Sequence, residues 1–103
     1  DMAEFIKAIE EKKLSEGIMV PVIVLGQSLG LVKKYNRYFA FENNCTHAGC
    51  ALSEGLLEDL EVECPCHGAR FNIESGEVLA LPATLPIKTY PTKVANGFVM
   101  VEV

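Results

Sequence analysis

Residues 45–50 read Cys45-Thr46-His47-Ala48-Gly49-Cys50, and residues 64–71 read Cys64-Pro65-Cys66-His67-Gly68-Ala69-Arg70-Phe71. These two short stretches hold all 4 cysteines and both of the 2 histidines of the chain. Scattered placement would not gather every ligand-type sulfur and imidazole into two compact groups. Something binds there, and the residue types restrict what it is.

Two chemistries compete for the cysteines: a pair of disulfides, or metal ligation shared with the histidines. Disulfides alone leave unexplained why one histidine follows two residues after Cys45 and the other three after Cys64. Among metals, zinc commonly takes two cysteines and two histidines. Its finger form groups a cysteine pair and then a histidine pair, whereas here each stretch supplies one leading cysteine and one histidine.

The pattern Cys45-x-His47 followed by Cys64-x-x-His67, with its flanking residues, resembles the two cluster-binding loops of the Rieske [2Fe-2S] proteins. The likeness extends to Gly76, to the segment around Pro82 and to the closing strand at Gly97-Phe98-Val99, and is loose only over the first dozen residues. It implies one [2Fe-2S] cluster, with Cys45 and Cys64 on an inner iron and His47 and His67 on an outer one. The chemistry agrees: thiolates suit a buried ferric ion, while imidazoles at a tip can face solvent and exchange a proton. Two thiolates leave the oxidised cluster formally neutral, where four would leave it doubly negative, so an electron adds more easily. Loss of a proton from an outer imidazole favours the oxidised state, and the potential is therefore expected to fall as pH rises.

Cys50 and Cys66 lie outside that ligand set. The matching positions form a disulfide in the Rieske proteins of respiratory complexes, so the resemblance implies a Cys50–Cys66 bridge; two small buried thiols are the alternative. Gly49 and Gly68 permit close backbone approach or a positive φ, or are ordinary turn glycines. Pro65 stiffens the chain between a ligand and Cys66, and Pro82 matches a loop that covers the cluster; both also read as plain loop prolines. High-potential members carry a serine and a tyrosine where this chain has Ala69 and Phe71. Neither side chain can donate a hydrogen bond to sulfur, which places the expected potential in the lower part of a range of roughly -150 to +300 mV.

Outward from this region the signal is β. Ile18 to Leu25 is rich in β-branched residues and leads through Gly26-Gln27-Ser28 into Leu29 to Lys33; Tyr38 to Phe41 follows the Tyr35-Asn36-Arg37 turn. Gly76 to Leu79 and Ile87 to Tyr90 are short candidate strands, and Thr92 to Val94 pairs with Phe98 to Glu102 through Ala95-Asn96-Gly97. Residues 1–13 can be written as a helix, or as a strand at Phe5 to Ala8 with a helical turn at Glu10 to Lys13, which the resemblance favours. The expected fold is all-β. It is a single Rieske-type domain over residues 1–103, built of small stacked antiparallel sheets in a sandwich or barrel-like arrangement. Two cluster-binding loops, within about residues 43–73, sit at one tip.

The chain of 103 residues carries a net charge of -5 with half its residues apolar, the composition of a globular domain. No basic stripe suits nucleic acid. The longest apolar run, Ile18 to Leu25, contains Pro21 and is too short to span a bilayer, so a soluble chain is expected, although a start at Asp1 is compatible with a removed leader, anchor or domain. The acidic residues Glu54, Glu58, Asp59, Glu61 and Glu63 read as a solvated surface, or as a negative face that steers a basic partner.

The function expected from the resemblance is a one-electron carrier, not itself an enzyme, passing electrons from a reductase to an oxygenase or other redox partner. A Rieske subunit or excised domain of a larger respiratory, oxidase or oxygenase complex is the alternative. A structural zinc module needs only Cys45, His47, Cys64 and His67. The cytoplasm is the expected compartment, since no export signal is present.

Overall fold

Strands form where side chains alternate between two buried faces. The computed structural model describes residues 4–46 and 49–103, so the expectations for His47 and Ala48 fall outside the described residues. Eleven strands run in chain order: β1 (Phe5–Glu10), β2 (Val20–Val24), β3 (Gln27–Lys34), β4 (Arg37–Glu42), β5 (Leu56–Glu58), β6 (Glu61–Glu63), β7 (Arg70–Asn72), β8 (Val78–Ala80), β9 (Thr89–Tyr90), β10 (Thr92–Ala95) and β11 (Phe98–Glu102). Among the described residues these strands are joined by two 3₁₀ turns, Glu11–Lys13 and Leu52–Glu54. The all-β expectation holds. No helix among the described residues is long and apolar enough to cross a membrane.

The strands make three antiparallel sheets, ordered β1-β11-β10, β2-β3-β4-β9 and β5-β6-β7-β8. The second sheet stands between two cores. On β3, Leu29 and Leu31 enter one core and Val32 the other; on β4, Ala40 enters the first while Phe39 and Phe41 enter the second. Period-two alternation on a sheet covered on both sides therefore writes itself as unbroken apolar runs. Gly30 is paired directly with Phe41, and a Cβ there would strike the Phe41 ring, so the ring lies flat across a bare backbone.

The first core joins β1, β2, β3, β4 and β11 and forms the base of the molecule. Residues 5–10 form a strand, which excludes the helical alternative: β11 buries Val99 and Val101 completely and takes β1 on one side and β10 on the other. Tertiary pairing decides a segment whose periodicity is ambiguous. The helical turn expected at Glu10 to Lys13 appears as the 3₁₀ turn Glu11–Lys13.

Three hairpins turn through two residues that both have positive φ: Leu25-Gly26 (49° and 79°), Tyr35-Asn36 (56° and 59°) and Asn96-Gly97 (53° and 80°). That backbone twist matches the twist of the flanking strands. The first turn corrects the expected Gly26-Gln27-Ser28. Leu25 leaves the strand and stands 70% exposed, because the tight turn needs two residues and Gly26 supplies only one.

β5, β6 and β7 lie where the sequence analysis places no strand. Each has three residues and only one clear inward side chain, Leu57, Val62 and Phe71 respectively, with carboxylates on the outward side of the first two. β8 begins at Val78 rather than Gly76, and β9 keeps only Thr89 and Tyr90. The second core joins this third sheet to β3 and β4.

Candidate metal centre

Two loops rise from the second core. The first follows β4 and closes on itself: the Cys45 amide donates to the Cys50 carbonyl at 2.8 Å, and the Gly49 amide donates to the Cys45 carbonyl at 2.7 Å. The second joins β6 to β7 and is closed at its stem by the Cys64 amide donating to the Ala69 carbonyl at 2.7 Å. Gly49 (φ 73°) and Gly68 (φ 75°) both lie in the left-handed region, and neither has a neighbour that a Cβ would strike. Both glycines provide the positive φ their turns require. His67 shares that conformation at φ 73°, an uncommon one for a side-chain-bearing residue, and is held there by the loop.

The loops bring Cys45 and Cys64 together. Both are free thiols, 0% and 1% exposed, and both lie in the second core. The Cys66 amide points at Cys64 Sγ from 3.4 Å. Burial above all pushes the Cys64 thiol up, the nearby Cys45 thiol adds to this, and the Cys66 amide opposes it. Thiolates in this position need a compensating cation, and a pair of them beside iron fits the expected group. His67 is exposed, so the sulfurs lie inward and an imidazole outward, in the order the resemblance implies. Among the described residues no three Cys, His, Asp or Glu side chains converge on one point. A two-iron cluster takes two side chains per iron and needs no such triad.

Cys50 and Cys66 form a disulfide with their Cα atoms 6.4 Å apart, bridging the first loop to the second. The segment after β8 closes in from a third side. Its Leu81–Pro82 bond is cis, Ala83 is buried in the same core as Cys45 and Cys64, and Thr46 Oγ1 donates to the Leu85 carbonyl at 2.7 Å. Pro82 thus belongs to a loop laid against the first ligand loop. Pro65 is exposed between Cys64 and Cys66, while Ala69 and Phe71 are fully buried beneath the second loop.

The acidic stretch is more organised than a solvated surface. The Arg70 guanidinium reaches Glu63 at 3.0 Å, Glu61 at 3.3 Å and Glu58 at 3.8 Å, joining the outward faces of β5, β6 and β7. The hydrogen bond to Glu63 above all pushes Arg70 further up, so it stays charged. Asp59 accepts a hydrogen bond from the Tyr35 hydroxyl, which raises the tyrosine and ties the β3–β4 turn to the β5–β6 turn. Sequence reasoning assigns no role to Thr46 or to Asn43. Their partners lie far away in the chain, so no local signal marks them.

Residues 4–91 match the family model of the Rieske [2Fe-2S] domain. The chain is 38% identical over 99 residues to the ferredoxin component of the naphthalene 1,2-dioxygenase system of Pseudomonas putida, covering 96% of this chain and 95% of the relative. It superposes on the ferredoxin of carbazole 1,9a-dioxygenase from Nocardioides aromaticivorans IC177 with a TM-score of 0.91 at 28% identity, covering 97% and 98% of the two chains. A TM-score of 0.88 at 30% identity relates it to a chain in a complex of reduced oxygenase and oxidized ferredoxin of carbazole 1,9a-dioxygenase, over 95% of this chain and 92% of that one.

Proposed function

The chain belongs to the Rieske [2Fe-2S] domain family, and from that premise we infer which side chains hold its cluster and which partners it serves. It is a ferredoxin-type electron carrier with one [2Fe-2S] cluster, a component of a multicomponent oxygenase system rather than its catalyst. When bound, the cluster accepts and returns one electron.

Cys45 and Cys64 hold the inner iron, and His47 and His67 the outer one. The juxtaposition of two buried free thiols, with His67 exposed on the far side, carries this assignment. The Cys66 amide aimed at Cys64 Sγ stabilises negative charge on that sulfur. The Cys50–Cys66 bridge holds the two loops in register, and the Ala83 loop keeps water from the thiol side. Ala69 and Phe71 add no hydroxyl donor, which supports a low potential within the family's range.

The donor is a reductase and the acceptor a terminal oxygenase of the aromatic-ring dioxygenase type named for its relatives. The exposed His67 end is the docking face, and Leu85 (62% exposed), whose carbonyl accepts from Thr46, stands exposed against the first ligand loop. The Cys50–Cys66 disulfide favours a second reading, a subunit of a respiratory-type complex. The match to ferredoxin components along 95% of their own length weighs for the carrier. The cytoplasm is the proposed compartment, checked by fractionation of the source cells.

Iron and acid-labile sulfide in equal amounts, with a [2Fe-2S] EPR signal on reduction, are expected of the purified chain. Zinc without sulfide would overturn the assignment.

A further inference from the structure

Asn43 is the buried polar residue among the described residues, 7% exposed at the end of β4. Its side chain joins three parts of the chain. Oδ1 accepts from the Ser53 amide at 2.7 Å, and Nδ2 donates to Ser28 Oγ at 3.1 Å. Its own amide donates to the Ser28 carbonyl at 3.1 Å. The Ser53 amide can only donate, so the amide oxygen must face it and the NH₂ must face Ser28.

Ser53 lies in the 3₁₀ turn Leu52–Glu54, whose N-terminal flanking residue, Ala51, supplies no side-chain cap. Asn43 provides that cap from across the loop. Residues 44–52, which lie between the two bonded positions, contain Cys45, His47 and Cys50. Inside them the Cys45–Cys50 backbone bond closes the loop a second time. Ser28 stands on β3, so the amide fastens both ends of the loop to the central sheet.

We propose that Asn43 is a positioning residue for the cluster: its amide clamps the stem of the first ligand loop, so that Cys45 and His47 are presented from a closed ring anchored on β3. The proposal rests on the ligand assignment made for that loop. It is distinct from a role in filling the core, and the two roles rank substitutions in opposite orders. Asn43→Asp keeps an acceptor for the Ser53 amide and for the Ser28 hydroxyl but puts a charge in a buried place. Asn43→Leu suits burial and removes the clamp.

The test compares wild type, Asn43→Asp, Asn43→Leu and the exposed, fold-sparing Ser28→Ala, each loaded with its cluster. The readouts are the rate of iron loss to a ferrous chelator after reduction and the EPR line shape. Loss of the clamp is expected to speed iron release about tenfold in Asn43→Leu and to broaden its EPR lines. Asn43→Asp is expected to stay within about threefold of wild type with an unchanged spectrum, and Ser28→Ala to fall between them. Asn43→Asp as impaired as Asn43→Leu, or Ser28→Ala and Asn43→Leu both indistinguishable from wild type, would overturn the clamp. Should Asn43→Leu fail to fold, Ser28→Ala decides: release faster than wild type upholds the clamp, and an unchanged rate rejects it. Wild type without iron or sulfide would instead sink the ligand assignment, and the clamp with it.

Discussion

The base of the molecule and its tip are held together by different means. In the base, strands of four to eight residues bury Leu29, Leu31, Val99 and Val101 in a continuous core, and every side chain doing so is a plain hydrocarbon. At the tip, three-residue strands carry one inward side chain each and are joined by a guanidinium shared among three carboxylates, while the loops above them are tied by a disulfide. Burial of apolar surface is enough for the first. The second has an apolar core of its own, but its strands are too short to fix the two loops above that core, and cross-links do so.

The sharpest way to break this contrast is Cys45→Ser. Complete loss of bound iron and sulfide is expected, with hydrogen exchange rising across residues 49–73 while amides of β3 and β11 stay protected. Equal loss of protection in both regions would show that base and tip are one cooperative unit.

Leu31→Ala attacks the other side. Leu31 is 0% exposed, and its truncation is expected to cost about 2–5 kcal/mol in denaturant unfolding. The reduction potential should stay where it was. A shifted potential would mean that the base reaches the metal through the sheet that the two cores share.

Cys50→Ala with Cys66→Ala comes next. Closing a loop with a sequence separation of 16 stabilises by about 3 kcal/mol in the chain-entropy model. A smaller loss is expected in the loaded protein, where the cluster already joins the same loops, than in the protein stripped of iron. Calorimetry of both forms measures the difference; an equal loss in each would mean the two links act independently.

The smallest effects concern the absent hydroxyls. Ala69→Ser and Phe71→Tyr each place a donor at a fully buried position below the second loop. If it bonds to sulfur, the reduced state gains about 1 kcal/mol, equivalent to an upward shift of about 40 mV, readable by voltammetry. An unchanged or lowered potential in both variants would refute the account of the low potential.

The same contrast explains what could be read from the residues alone. The proposed ligands were legible because ligation needs particular atoms, and Cys45, His47, Cys64 and His67 carry them in a recognisable order. The base strands were legible from β-branched runs and from turn signals such as Asn96-Gly97. β5 to β7 were not, because three residues give no period to detect and Glu58, Glu61 and Glu63 disguise strands as loop. Leu25 was misplaced because its chemistry says strand while its neighbour Gly26 sets a tight turn. Residues 5–10 fit two periods, and only pairing with β11 chooses between them. Asn43 was invisible for a different reason: what it does is defined by Ser28 and Ser53, 15 and 10 residues away.

The Cys50–Cys66 bridge also changes the covalent topology of the tip. It turns residues 50–66 into a macrocycle that contains β5, β6 and the turn between them, including Asp59 at φ 56°. A protease that cuts the backbone inside this ring opens the ring without dividing the molecule. A nicked chain would therefore travel as one species until a reductant separates it into two, and the first loop would keep its attachment to the second after the peptide path between them had been severed.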